Sequence, residues 1–492
     1  MSVQLLNWAI VGAYFVITLW IGRRTAGRQT SLDDYLLAGR HIPWWAASLS
    51  IVATETSTLT FVGVPGIAYA GDLSFVQVAI GYLFGRAVVA VFLVPGYFRG
   101  QINTAYEVLA ERFGGRVQTL ASAVFVVNRW LADGVRLFAT ALVVLALMPM
   151  PLPVAIVLVA GVTLIYTLRG GLRAVIWNDV FQQFIYMAGA VMAAGILLWR
   201  IPGGWQGAVQ QLSPAGKLVW LNFSWDLSVP YTFWAGLIGG AVLTAATHGT
   251  DQMFVQRLLA CGSLRESRLA LVGSGFVVLA QMAFFLWIGS LLFAFYALFP
   301  PSRPFASPDA VFPRFIAEQL PLGLGGLVIA AVFAAAMSTL SSSLNSLASA
   351  TTVDFWERWR SDASRQPGPR SDATGKVAGE RSPAFRASHR FTVVWALALA
   401  AVAGLARFWG PVLEAGLTIT SVSFGGVLGI FVVGQTGWRL SEGKAALAMA
   451  LGIGTLVGVH AVGGLAWTWY TLLGASVTVA SSAVLTLWER RL

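Results

Sequence analysis

Ile51-Val-Ala-Thr-Glu-Thr-Ser-Thr-Leu-Thr-Phe-Val-Gly-Val-Pro-Gly66 lies inside an apolar run long enough to cross a bilayer, yet it carries six polar side chains and a Gly-Val-Pro-Gly sequence. Hydroxyls and carboxylates in hydrocarbon are costly unless they find partners. Such a segment reads as a broken helix. In transporters built from inverted repeats, one broken helix in each half places free carbonyls and amides at mid-membrane, where they bind ions and substrate. A second interruption, Leu243-Thr-Ala-Ala-Thr-His-Gly-Thr-Asp-Gln252, has Gly249 in its middle. For either segment alone, close helix packing through glycine and hydroxyls is the competing explanation.

A third stretch, Met337-Ser-Thr-Leu-Ser-Ser-Ser-Leu-Asn-Ser-Leu-Ala-Ser349, continues the apolar run from Leu327 to Ala336. Its hydroxyls are too dense for a plain membrane helix and ask for something that needs oxygen; bound sodium is one such partner. Ser338, Ser341 and Ser342 are spaced i, i+3 and i+4, so they share one helix face.

The rest of the chain says membrane. Of 492 residues, 57% are hydrophobic and 11% charged, against roughly 25% charged in a soluble domain. Apolar runs of about 20 residues suggest thirteen spans, at 6–22, 42–70, 74–98, 117–147, 152–169, 178–200, 230–256, 268–298, 324–352, 391–408, 412–434, 445–463 and 466–488. The first is not a cleaved signal peptide, because Arg23, Arg24 and Arg28 follow its apolar run rather than precede it. With sides alternating from there, 24 of the 32 basic residues fall in the loops after odd-numbered spans and five on the other side. The positive-inside rule then puts the N-terminus outside and the C-terminus in the cytoplasm of a multi-pass protein of the cell (inner) membrane.

This asymmetry accounts for the formal charge of +11 without a nucleic-acid partner. Cys261 is the only cysteine, so an intrachain disulfide is excluded. The four histidines (41, 248, 389, 460) have no metal-ligand spacing. No Ser/His/Asp, Cys/His, HExxH or paired-acid arrangement points to an enzyme. One transmembrane domain spans 1–492; residues 361–388, rich in Ser, Arg, Gly, Pro and Asp, read as a flexible cytoplasmic linker. The prolines of 299–319 suggest an ordered outer loop with a short helix.

The segment from Ile51 to Gly66, Gly170-Gly-Leu-Arg-Ala-Val-Ile-Trp-Asn-Asp-Val-Phe-Gln182, Asp251-Gln-Met-Phe-Val-Gln-Arg257 and Ala335-Ala-Met-Ser-Thr-Leu-Ser-Ser-Ser-Leu-Asn345 together resemble the sodium/solute symporter family, with likeness to its sodium/proline and sialic-acid branches. The resemblance implies an all-α membrane protein with a leucine-transporter-type five-plus-five inverted repeat (42–200 and 230–434), one extra N-terminal helix and two C-terminal ones. It also implies alternating access and sodium-driven import of a small polar solute, a carboxylate or zwitterion being favoured. The partners implied are that solute, Na+ and the lipid bilayer, with no obligatory protein partner. A transport-inactive sensor of the same fold is the alternative.

Carried over from the family, a sodium site would use the carbonyls of Ala53, Thr56 and Ala335 and the hydroxyls of Ser338 and Thr339. Five neutral oxygens suit a hard monovalent cation that must be released on each cycle. The sialic-acid branch implies a second sodium at Asp179, Ser338, Ser341 and Ser342; otherwise Asp179 anchors its helix by hydrogen bonds to those serines. Substrate positions fall at Glu55, Ser57, Thr60, Arg136, Thr244, Thr247 and His248. Glu55 stands where the proline branch has aspartate and the sugar branch asparagine. The sugar branch's glutamine, asparagine, tyrosine and tryptophan are matched here by Thr60, Thr244, Thr247 and His248, which argues against a sugar. The arginine that grips a carboxylate in the sialic-acid branch matches Ala132, one turn from Arg136. A guanidinium in mid-span needs a partner, and Asp133, Glu55 and an anionic substrate are the candidates for Arg136.

Overall fold

The computed structural model describes residues 3–489 apart from 28, 30, 101, 149, 322, 361–381 and 407–411. The principal helices are α1 (Val3–Thr25), α2 (Trp44–Glu55), α3 (Thr58–Ala70), α4 (Val76–Phe92), α5 (Gly115–Leu147), α6 (Leu152–Arg200), α7 (Gly240–Thr250), α8 (Gln252–Leu259), α9 (Leu264–Leu298), α10 (Val311–Gln319), α11 (Leu324–Ala350), α12 (Pro383–Leu405), α13 (Val412–Gly434), α14 (Glu442–Val462) and α15 (Tyr470–Glu489). Among the described residues the only β pairing is an isolated bridge between Ile42 and Cys261. The protein is all-α and multi-pass.

Helix α11 runs through the middle. Every residue from Val328 to Ala350 is buried, the hydroxyls of 338–349 included. It lies against α6, α1 and α5. Its hydroxyls are satisfied partly along the helix itself: Ser341 and Ser342 donate to the Ser338 carbonyl at 3.1 and 2.6 Å, and Ser346 to that of Ser343 at 3.1 Å. This back-bonding lets serine sit in an apolar interior without an orphaned O–H.

Among the described residues seven helices are long and apolar enough to cross a membrane, or eight if the bent pair α2–α3 is one span. The expectation of thirteen spans, arranged as five-plus-five with extra terminal helices, is corrected to seven to eight. The 49-residue stretch α6 is two helical segments that meet at a kink at Gly171 (φ 52°, ψ −151°), the place where the hydropathy windows also divide it. Helix α4 is 17 residues long, and α5 carries Arg129, Asp133 and Arg136 on adjacent turns. The run 230–256 is divided into a π-turn at Ala235–Gly239, α7 and α8.

The proline-rich loop contains a short turn at Pro308–Ala310 followed by α10. Residues 361–381 of the expected linker lie outside the described residues, and 383–388 are helical rather than linker. Ser382 accepts from the Phe385 amide at 3.1 Å and Pro383 opens α12, the cap-then-proline pattern that starts a helix.

Candidate functional site

Helices α2 and α3 meet at an angle of 65°. Thr56 (ψ 83°) and Ser57 (ψ 171°) leave the helical region there, so the last carbonyls of α2 lose their intrahelical donors. Helix α11 supplies replacements. Ser338 Oγ donates to the Ala53 carbonyl at 2.8 Å and lies 3.1 Å from that of Ala335. Thr339 Oγ1 donates to the Thr54 carbonyl at 3.1 Å and is 3.4 Å from the Ala335 carbonyl. The Thr56 hydroxyl accepts from Gln281 Nε2 of α9. The break thus gathers the carbonyls of Ala53, Thr54 and Ala335 and the hydroxyls of Ser338 and Thr339 into one cluster of neutral oxygens, while the Thr56 hydroxyl turns to Gln281.

One helical turn along α11, Ser342 exchanges a 3.0 Å hydrogen bond with Thr54 and accepts from Arg257. Arg257 also pairs with Asp179 at 3.0 Å, and Ser50 donates to the same Asp179 oxygen at 2.6 Å. The other oxygen, Asp179 Oδ1, is buried with no hydrogen-bond partner. Ser341 turns instead to the Ser338 carbonyl. Arg257, counted from sequence as a loop charge, is fully buried here and brings the protein's own cation to the carboxylate.

Glu55, Ser57, Thr60, Arg136, Thr244, Thr247 and His248 all line a single cavity of about 160 Å³ beside the break. It shares Leu59, Gly63, Ile67 and Tyr231 with a vestibule of about 1010 Å³ that reaches the loop at 304–318. Arg86 of α4 pairs with Glu55 and also donates to Ser274 Oγ at 2.8 Å. His248 stacks on Phe254 with ring centroids 4.2 Å apart, exchanges a 3.0 Å hydrogen bond with Thr247, and places Nε2 3.6 Å from Glu55.

The candidate pairing of Arg136 with Glu55 is therefore corrected: Arg86 holds Glu55, and Arg136 pairs with Asp133 at 2.7 Å. Asp133 also faces Arg129, 3.6 Å away, and Arg129 pairs with Asp251. Four arginines (86, 129, 136, 257) face four carboxylates (Glu55, Asp133, Asp179, Asp251), so the network is neutral as a set. Its members differ in exposure. The Arg86, Arg129 and Arg257 side chains are at most 2% exposed, whereas that of Arg136 is 23% exposed on the cavity wall.

Sequence reasoning did not single out Tyr82, Tyr231, Phe254 or Trp467, which also line the cavity. An aromatic in a hydrophobic run carries no mark that separates a pocket wall from a lipid-facing side chain.

A model of the sodium:solute symporter family matches residues 35–368. The sodium/sialic acid symporter SiaT of Proteus mirabilis is 29% identical over 97% of this chain and 94% of its own. The corresponding NanT of Aliivibrio fischeri is 30% identical over 96% of this chain and 91% of its own. A solved structure of a Na+-coupled sialic acid symporter, in a substrate-bound outward-open state, superimposes with a TM-score of 0.87 at 26% identity, covering 99% of this chain and 98% of that one. Mhp1, a nucleobase-cation-symport-1 family transporter, shares the fold with a TM-score of 0.62 at 13% identity, covering 92% of this chain and 94% of its own.

Proposed function

This chain belongs to the sodium:solute symporter family and is a sodium-coupled membrane transporter working by alternating access, not an enzyme; on that premise we propose that its cargo is a small organic acid or zwitterion gripped by Arg136. The observation that carries this reading is that Arg136, on the cavity wall, donates one side-chain hydrogen bond among the described residues, to Asp133. A guanidinium has five donors in a planar fork suited to a carboxylate, so most of its capacity is left for a ligand. The likeness to sodium/sialic acid symporters supports an acidic cargo, with sialic acid the first to test.

The sodium ion that drives uptake is assigned to Ala53, Thr56, Ala335, Ser338 and Thr339. Oxygens 2.8–3.4 Å apart have the spacing of neighbouring ligands around a hard cation with metal–oxygen distances of about 2.3–2.6 Å, as found for calcium. Rotation of the two hydroxyls would turn their lone pairs toward the ion. A second sodium at Asp179, Ser338, Ser341 and Ser342 is supported by the unpartnered Asp179 Oδ1, while Arg257 already supplies one positive charge there. Residues 42–200 and 230–434 form two inverted repeats, a reading supported by one broken helix in each. With the N-terminus outside and the C-terminus in the cytoplasm, the vestibule at 304–318 opens outward.

The test is a thermal-shift screen of small acids, sialic acid included, on the purified protein in sodium and in potassium. An acid is expected to raise the melting temperature in sodium only. Arg136→Gln should bind that acid about tenfold or more weakly, because a hydrogen bond to a charged group contributes roughly 1.5–3 kcal/mol. Equal affinity in the variant would make Arg136 structural.

A further inference from the structure

Well away from the substrate cavity, a cleft of about 650 Å³ opens between the end of the helical stretch that continues α11 and the start of α12. Arg360, Arg386 and Arg390 line it together with Trp356 and Phe391, and among the described residues no acidic residue does. Arg386 and Arg390 are exposed, one turn apart. The Arg360 guanidinium lies 5.2 Å from the Trp356 ring centroid. None of the three arginine side chains is paired with a carboxylate among the described residues.

The face of α12 that carries the arginines continues as apolar surface. Arg386, Arg390, Val394 and Leu397 follow spacings of four, four and three residues, which keeps them on one stripe. Val394 is 55% and Leu397 67% exposed. From Arg386 to Leu397 the helix rises about 16 Å at 1.5 Å per residue, close to the thickness of one leaflet's hydrocarbon, about 15 Å. The opposite side of the helix is occupied: Trp395 donates to the Thr351 hydroxyl and meets Trp130 edge to face. Exposed Trp359 adds an indole at the end of the neighbouring helix, a residue type that favours the headgroup level.

We propose that this cleft binds an anionic phospholipid, its phosphate held by Arg360, Arg386 and Arg390 and its acyl chains lying on Val394 and Leu397. Arginines clustered at a membrane helix end, with no carboxylate partner among the described residues, favour a phosphate. The apolar stripe leading from them selects a lipid over a free anion, which has nothing to place there. The ligand is distinct from the transported solute and its site is independent of the sodium positions.

The test uses the full chain in neutral detergent, with phosphatidylglycerol, phosphatidylcholine or inorganic phosphate added and thermal stability read out. Phosphatidylglycerol should raise the melting temperature by a saturable increment, and the other two should not. The Arg386→Gln/Arg390→Gln double variant should lose that increment while melting like wild type in phosphatidylcholine. An Arg23→Gln/Arg24→Gln double variant, which removes the same charge from another helix end, should keep it. The proposal is overturned if the first double variant retains the increment, if both double variants lose it alike, or if phosphatidylcholine or inorganic phosphate reproduces it.

Discussion

Replacing Arg129 by glutamine is expected to cost about 3–5 kcal/mol of stability, the penalty for removing one partner of a buried ion pair. Asp251 is fully buried, pairs with Arg129, and caps α8 by accepting from the Met253 amide at 2.9 Å. Glutamine would leave that carboxylate without a cation at the point where α7 ends and α8 begins. Asp133 would keep only Arg136 as a counter-charge. The guanidinium also lies 5.8 and 5.9 Å from the rings of Phe254 and Phe424, contacts that a neutral amide does not replace. Combining Arg129→Gln with Asp251→Asn removes both charges and should recover part of the loss. Thermal denaturation of the purified single and double variants checks this. Wild-type melting of Arg129→Gln would show that the pair is not needed for the fold.

The second large effect is at Gly85. A Cβ there would sit 2.2 Å from the Ala241 carbonyl oxygen, and one at Gly81 2.1 Å from that of Gly236. Both obstacles are backbone, which has no rotamer to escape into, so α4 and the α7 region would have to separate. Elsewhere in a helix, glycine to alanine stabilises by roughly 0.5–1 kcal/mol. At Gly161 of α6, with nothing within 4 Å, that sign should hold. At Gly85 it should reverse, with a loss of about 1–3 kcal/mol from overpacking. Arg86 is the next residue, so the shift also draws the guanidinium from Glu55. Gly85→Ala should therefore lose ligand binding as well as melting temperature, and Gly161→Ala should lose neither. Comparing the two variants by thermal shift, with and without ligand, decides the matter.

The bend at Glu55-Thr-Ser57 was legible because hydroxyls, a carboxylate and a Gly-Val-Pro-Gly sequence cannot be ordinary within a span. The same logic found the second interruption, Leu243 to Gln252, without fixing its break point. The structure puts it at Asp251, whose extended backbone (φ −88°, ψ 122°) makes it the N-cap of α8; aspartate before Gln-Met-Phe was the available signal. The seven residues expected to meet substrate line one cavity because they lie near the two breaks and on a neighbouring mid-span turn. Pairings between distant helices were not legible. Arg86 and Glu55 are 31 residues apart on different helices, and Arg257 and Asp179 are 78 apart. Nothing in a one-dimensional pattern says which buried guanidinium faces which carboxylate. The span count came out too high because hydropathy sees apolar runs but not where helices end: α4 is 17 residues long, α5 carries Arg129, Asp133 and Arg136, and 230–256 is divided into three pieces.

The most direct test of the sodium assignment is the sodium dependence of solute uptake into proteoliposomes, with potassium replacing sodium, for wild type, Ser338→Ala and Thr339→Ala. Each substitution removes one oxygen from a five-oxygen shell that methyl groups cannot complete. The account predicts that each raises the half-saturating sodium concentration by about tenfold, equivalent to roughly 1.4 kcal/mol of binding, with the protein still folded. An unchanged sodium dependence in both variants would contradict it.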